Sequence, residues 1–385
     1  MTRFRPRPAG VSVFSSRVVL LLALLLAGCS PTYVMRAGWE EAKILWNRED
    51  IAELIADPDT DPMLRHKLTR VLAARAFSKQ IGLTPDGAYT QYSEIDRDVL
   101  VWVLSASPSI ALASYTWWFP IVGRVPYKGF FEKEDGMELA RSLQEKGYDI
   151  LLRPSPAFST LGWFDDPLLS TLVRYDEVAL VNTVIHEILH STVWIPGHAA
   201  FNETLANVVG SVGARQFYAD SEYADAELAA TAENRWHDEL LFARFLHDAK
   251  AELEAFYNGL PEDIDYEAVP EDVLERRKEL FGSLKAAWQA RNDDLRTDQF
   301  RGAADRLNNA AIVAQLVYLD RPWLFQQLLE KVDHSLPQFV AEIRLIREKL
   351  EQGEHTDPFD ALSARLNAPT AEAAAISLLS AKADQ

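Results

Sequence analysis

The chain has 385 residues, 48% of them hydrophobic and 10% aromatic, enough to bury a substantial core and to exclude wholesale disorder. Its 39 Lys and Arg stand against 57 Asp and Glu, a net charge of −18 with no long basic run, which argues against a nucleic-acid partner. A single cysteine rules out an internal disulfide and any cysteine-built metal site, so a zinc or iron centre would have to use His, Asp or Glu.

The N-terminus reads as an address. Arg3, Arg5, Arg7 and Arg17 are the only charges before residue 29, so the rest of the chain carries a net −22. Val18 to Leu26 form an apolar run of nine residues, too short to span a bilayer but suited to the central region of a secretory signal. The run ends in Leu26-Ala27-Gly28-Cys29, which resembles the lipobox of bacterial lipoproteins. Residues 1–28 are therefore expected to be a signal peptide, and Cys29 to be the lipidated first residue of the mature chain. Several acyl chains on one cysteine anchor stably where a single chain does not. By resemblance to Gram-negative lipoproteins, Ser30 in place of Asp implies passage to the outer membrane, facing the periplasm. No later segment has eighteen uninterrupted apolar residues, so no transmembrane helix is expected.

Along the mature chain, Tyr33 to Ala56 and Met63 to Ile81 are amphipathic and read as two helices, within an N-terminal helical segment over 29–88. From Tyr89 the texture changes. Val99 to Ala106, Ile110 to Phe119, Ile121 to Val125 and Asp149 to Arg153 read as strands of a small mixed sheet, with a helix over Glu132 to Lys146 stopped by Gly147. Val178 to Trp194 carries a helical apolar stripe that ends at Pro196-Gly197, and a second helix runs from Asn202 to Tyr218. These complete an α+β region over 89–219. Residues 220–385 read as mostly helical, broken at Gly259-Leu260-Pro261 and near Pro270, with Arg306 to Leu319 and Pro322 to Lys349 the clearest striped stretches.

His186-Glu187-Ile188-Leu189-His190 is an HExxH string inside the best helix of the chain. Spacing i,i+4 puts both imidazoles on one face, a turn apart, where their nitrogens can converge on one cation. Glu187 lies about a hundred degrees round the helix, beside the metal and outside its ligand set, placed to take a proton from water. A catalytic zinc uses three protein ligands and keeps a fourth place open, and His₂Glu is a known set. Glu203, in Phe201-Asn202-Glu203-Thr204-Leu205-Ala206-Asn207, follows His190 after twelve residues and is the expected third ligand. Asn207, a turn further on the same face, is expected to orient a ligand imidazole.

HEILH followed by NETLA resembles the gluzincin type of zinc metallopeptidase. More narrowly, Ala157 to Phe164, Asp166-Pro167-Leu168, the HExxH helix and FNETLA are together similar to a family of bacterial lipoprotein aminopeptidases. Pro120 to Gly123 with Val125 to Gly129, and Leu307-Asn308-Asn309-Ala310, fit that family too. The resemblance implies a zincin-type pair of active-site helices, a zinc cofactor and a peptide substrate. His198 stands where relatives are expected to carry an acidic residue, and the GxMEN segment of the best-known zinc aminopeptidases does not occur, so the exopeptidase detail rests on the resemblance alone.

A zinc peptidase also needs a donor for the developing oxyanion. Tyr318 is the candidate, with Tyr127 and His198 as rivals. The segment from Phe158 to Trp163, read as a strand, could present its backbone to an extended peptide. His66, His237, His247, His334 and His355 have no metal-like spacing and are read as ordinary polar residues. Two other functions fit less of the sequence: an endopeptidase that processes envelope proteins, and a catalytically inactive envelope scaffold.

Overall fold

The computed structural model describes residues 44–119, 123–155, 167–261, 264–265 and 268–368. The signal segment, Cys29 and the expected strand over 158–163 lie outside these residues. Within them the chain is α+β.

The amphipathic pattern expected to make one helix up to Ala56 is interrupted. Arg48–Asp50 forms strand β1, and helix α1 (Ile51–Ala56) starts only after it. Two local choices cause the break: β1 finds a partner in β2 (Gln91–Ser93), and the Asp50 carboxylate accepts from the amides of Ala52 and Glu53, which caps a new helix. Helix α2 (Pro62–Gln80) begins in the same way, with Asp61 as cap and Pro62 at its first position.

Strand β3 (Val101–Pro108) comes next, then β4 (Trp117–Phe119), β5 (Gly123–Val125) and β6 (Lys128–Phe130). Helix α3 (Lys133–Gln144) leads through Gly147, at φ +79°, into β7 (Tyr148–Ser155). The expected single sheet is three small ones. β3 is flanked by β6 and β7, all antiparallel, and pairs β7 along its full length from Val101↔Ser155 to Pro108↔Tyr148. β4 and β5 form a separate ribbon, and β1, β2 and β8 (Leu168–Leu169) form a mixed sheet in which β8 is parallel to β2. The run from Ile110 to Phe119 yields a strand only in its last three residues, because Tyr115 N–H bonds Ala106 O (2.8 Å) and folds the preceding residues back.

The remaining elements are helical. After the single turn α4 (Ser170–Val173) come α5 (Glu177–Thr192), α6 (Ala199–Asp220) and the long α7 (Ala226–Asn258). Helices α8 (Glu271–Gln289), α9 (Asn309–Leu316), α10 (Pro322–Lys331), α11 (Leu336–Glu351) and α12 (Pro358–Asn367) follow. The stripe over Pro322 to Lys349 is thus two helices. Asp333 and His334 adopt left-handed backbone (φ +52° and +59°), and Pro337, lacking an N–H, suits the first turn of α11 better than a helix interior.

The main core gathers apolar faces of α2, α5, α6, α10, α11 and α12. A second cluster joins α7 and α8 to the segment around α9, and a third lies between α3 and the β3 sheet. Val181, Val184, Ile185 and Ile188 of α5 are fully buried, each worth about 1.5–3 kcal/mol, so α5 is a fixed rod at the centre of the molecule. No helix among the described residues is long and apolar enough to cross a membrane.

Candidate metal centre

Helix α5 is held at both ends. Asp176 caps it through Ala179 N–H and takes both guanidinium nitrogens of Arg235 at 2.9 Å, while Glu177 bonds His66 (2.6 Å) and Arg70 (3.0 Å) from α2. At its other end the chain turns through Gly197, at φ +84°, into α6. Asn202 locks that turn: its Oδ1 accepts from Ile195 N–H at 3.0 Å and its Nδ2 donates to Ile195 O at 2.8 Å. Phe201 next to it packs on Phe325 of α10 and Phe359 of α12, with centroids 5.0 and 5.1 Å away. The residue after this pair is Glu203.

The two helices run in opposite directions at close quarters. Glu203 meets the C-terminal half of α5, Asn182 Nδ2 donates to Ser211 Oγ (3.1 Å), and Tyr218 OH donates to Glu177 O (3.2 Å). Gly210 and Gly213 permit the approach. A Cβ at Gly210 would collide with Asn182 Oδ1 and sit 2.9 Å from its carbonyl oxygen, and one at Gly213 would press on Ile185 at 3.1 Å.

At the centre of this packing, His186 Nε2 and His190 Nε2 are 3.2 Å apart, and Glu203 Oε2 lies 3.4 Å from the first and 3.6 Å from the second. Among the described residues this is the one group of three such side chains arranged to hold a metal ion. Two donors at about 2.0–2.1 Å from a zinc ion, meeting at the tetrahedral angle, are about 3.3–3.4 Å apart, so the three atoms outline one face of a tetrahedron. Two imidazoles and one carboxylate suit zinc better than a hard cation that prefers oxygen. The group fits a metal for a further reason: in their neutral form both imidazoles offer a ring-nitrogen lone pair, which with the Glu203 oxygen gives three donors converging on one spot.

The surrounding charges agree. Burial alone would lower the His186 imidazole, yet its hydrogen bond to the Glu203 carboxylate, the charges of Glu187 and Glu203 and its hydrogen bond to Asn207 raise it above its usual value. Burial would likewise raise Glu203, and hydrogen bonds to His186 and His190 instead hold it at about 2. Asn207 stands beside His186 as its spacing predicts, and its Nδ2 also donates to Tyr318 O at 3.0 Å. His190 Nδ1 is buried with no hydrogen-bond partner among the described residues. Glu187 is half-buried on α5, about a hundred degrees round the helix from His186.

Both tyrosines named from the sequence lie within electrostatic reach of Glu203. Tyr318 is pushed up to about 12 by burial and then by the charge of Glu203, and Tyr127 is raised by the same two causes. Thr204 Oγ1 accepts from Asp320 N–H at 3.0 Å, which with Asn207 pins the Tyr318 segment to α6. His198 occupies the N-cap position of α6 without making a side-chain cap, and no contact joins it to the ligand residues among those described. His66 and His237 pair with Glu177 and Asp238, and His247 packs on Trp323, so these rings serve other contacts.

Sequence reasoning missed Arg153. Its guanidinium lies 6.0 Å from the Tyr318 ring centroid and opposes the rise of both tyrosines. No local signal marks it. It reaches the site because the Asn308-Asn309 pair docks α9 on the sheet: Asn308 Nδ2 donates to Ile150 O (3.0 Å), and Asn309 Nδ2 to Pro108 O (2.8 Å) and Ser109 O (3.1 Å).

No curated protein and no solved structure gives a significant match to the chain. Residues 32–357, most of the sequence, match the model of the family described as "Putative aminopeptidase", and the chain belongs to that family.

Proposed function

We propose that the protein is a zinc metallopeptidase of the gluzincin type, acting as an aminopeptidase on peptides, with His186, His190 and Glu203 as metal ligands. The observation that carries this reading is the triangle of 3.2, 3.4 and 3.6 Å edges formed by their donor atoms, with the HExxH glutamate alongside. The family match supports the peptidase class. A zinc ion bound there supplies Lewis acidity, lowering the pKa of water and polarising the scissile carbonyl.

The chain's own residues do the rest. Glu187 accepts the proton of the attacking water and returns it to the leaving amine. Tyr318, kept protonated by its raised pKa, donates to the carbonyl oxygen as negative charge gathers there, with Tyr127 and Arg153 beside it. Asn207 keeps the His186 ring in its ligating orientation. The Leu26-Ala27-Gly28-Cys29 string supports a lipid anchor on Cys29, and with it a place on the cell envelope, at the outer membrane facing the periplasm.

The test is metal analysis of the full chain in detergent, wild type beside His190→Ala, followed by hydrolysis of free and N-acetylated peptides. One equivalent of zinc, lost in the variant, with cleavage of free amino termini only is the expected result. Cleavage of blocked peptides would make the protein an endopeptidase. A folded wild type that takes up no zinc would leave the scaffold reading in its place.

A further inference from the structure

A cavity of about 600 Å³ opens beside Asn207, the residue hydrogen-bonded to His186. Asn182 and Thr183 of α5, Asn207 and Ser211 of α6, and Arg235 and Glu239 of α7 line it. These positions continue the ligand face. Asn182 precedes His186 by four residues, and Asn207 and Ser211 follow Glu203 by four and eight, so on both helices the cavity prolongs the row of metal ligands. Asn207 belongs to both places, beside His186 and in the cavity wall.

Glu239 is the group in this cavity that calls for a ligand. Its carboxylate accepts from Ser211 Oγ at 3.2 Å and from Gln299 Nε2 at 3.5 Å, both neutral donors. Arg235, the cation in the wall, is committed to Asp176 through two bonds of 2.9 Å. The outer wall, Thr297 to Gln299, is fixed by the fully buried Asp238, which accepts from Arg296 N–H (2.9 Å), Thr297 N–H (2.7 Å) and Thr297 Oγ1 (2.7 Å). Asp298, at the exposed edge of the lining, is paired with Arg301 at 2.9 Å, which leaves Glu239 as the carboxylate of the lining bonded only by neutral donors. Burial pushes Glu239 up to about 7, against the lowering by its bonds from Gln299 and Ser211. The cavity is thus walled on three helices and carries one carboxylate whose hydrogen-bond partners are neutral donors.

Distance selects which positive charge. Asn182, which is joined through Ser211 to Glu239, lies six residues along α5 from the midpoint of the His186–His190 pair, about 9 Å at the helical rise. An extended lysine reaches about 7 Å from its own carbonyl carbon to its ammonium, and arginine slightly farther, whereas the α-ammonium of a peptide is only about 2.5 Å from that carbon. The α-ammonium falls far short of that interval, whereas an extended lysine or arginine side chain covers most of it.

We propose that this cavity is a specificity pocket for the lysine or arginine side chain of a residue flanking the scissile bond, with Glu239 pairing its cationic end. The assignment rests on the peptidase reading given above, and the experiment separates the two. On the full chain in detergent, kcat/KM is measured for peptides that differ only in carrying lysine, arginine or leucine at the scissile bond, with wild type, Glu239→Gln and Glu239→Asp. Calorimetry on Glu187→Gln, with and without Glu239→Gln, gives the affinity for the uncleaved lysine peptide.

Wild type is expected to favour lysine and arginine over leucine at least tenfold. Glu239→Gln should collapse that ratio by tenfold or more and weaken the lysine peptide in calorimetry to match, with zinc content intact and a melting transition no lower than that of wild type. Glu239→Asp, which keeps the charge, should retain part of the preference. Equal cleavage of lysine and leucine peptides by wild type, or a Glu239→Gln effect common to all substrates, overturns the pocket. If zinc-loaded wild type cleaves no peptide, the peptidase reading falls and calorimetry alone judges the cavity: lysine-peptide binding that depends on Glu239 sustains it, and binding that ignores Glu239 ends it.

Discussion

In the proposed reaction the Glu187 carboxylate moves the proton, while the metal ligands hold charge without moving it. Glu187→Gln should therefore keep its equivalent of zinc and lose about 10²–10⁴-fold in kcat, a combination that metal analysis and steady-state kinetics read together. Tyr318→Phe removes a donor aimed at a developing charge, so kcat should fall by about 10²-fold with little change in KM. A fall in KM affinity alone would instead assign Tyr318 to substrate binding. Glu239 offers a different test, because its folded-state pKa of about 7 lies above the ordinary carboxylate value. The folded chain then binds an extra proton between about pH 4.5 and 7, so its contribution weakens the fold as pH rises through that window and stays unfavourable above it. In zinc-free protein, Glu239→Gln should flatten this slope and add about 1–3 kcal/mol at pH 8 relative to pH 4, as measured by denaturant unfolding at both pH values.

At the scale of elements, the site depends on how closely α5 and α6 approach. Gly210→Ala would gain up to about 1 kcal/mol in helix propensity, but its Cβ would meet the carbonyl oxygen of Asn182 at 2.9 Å, and backbone cannot swing aside as a side chain can. The clash should win, with a net loss of about 1–3 kcal/mol and weaker zinc binding, because Glu203 rides on the displaced helix. Asn202→Ala should cost about 2–4 kcal/mol, since it strands both the amide and the carbonyl of Ile195 in a buried turn. Thermal melting with a parallel zinc titration would show both effects. HExxH was legible from spacing alone, since i,i+4 convergence is a property of any α-helix. The roles of Gly210 and Asn202 were not, because a glycine in a helix and an asparagine near a helix start each have several explanations until the neighbouring element is in place.

Across the whole molecule, the β3 sheet is fastened to the helical body by Asn309, which is fully buried, donates to three backbone carbonyls and accepts from Tyr257 OH at 2.8 Å. Its backbone amide also donates to Asp149 Oδ2 at 2.8 Å, and Asp149 pairs with Arg277 of α8. Asn309→Ala should lower stability by about 3–5 kcal/mol, and activity should fall with it as Arg153 loses its place by Tyr318. The proposed anchor has its own test at this scale. Cys29→Ser should leave the uncleaved or unlipidated chain out of the lipid-anchored fraction, seen by detergent partitioning, without altering zinc content.

Some of this protein was decided within a few residues of chain and some across hundreds. The paired histidines, the glutamate between them, Glu203 a short turn later and the apolar stripe of α5 are local patterns, and local patterns survive translation from sequence to structure because helix geometry is nearly constant. The break at β1 and the split between α10 and α11 went the other way, since a partner strand or a left-handed pair can override an amphipathic stripe. Arg153, the clamp of Asn309 and the cavity at Glu239 were invisible for a deeper reason. Each is made by contacts between elements far apart in the chain, Asn309 with Pro108 or Ser211 with Glu239, and no spacing along a sequence encodes which distant faces meet. The sequence determined the chemistry of the centre, and packing decided what surrounds it.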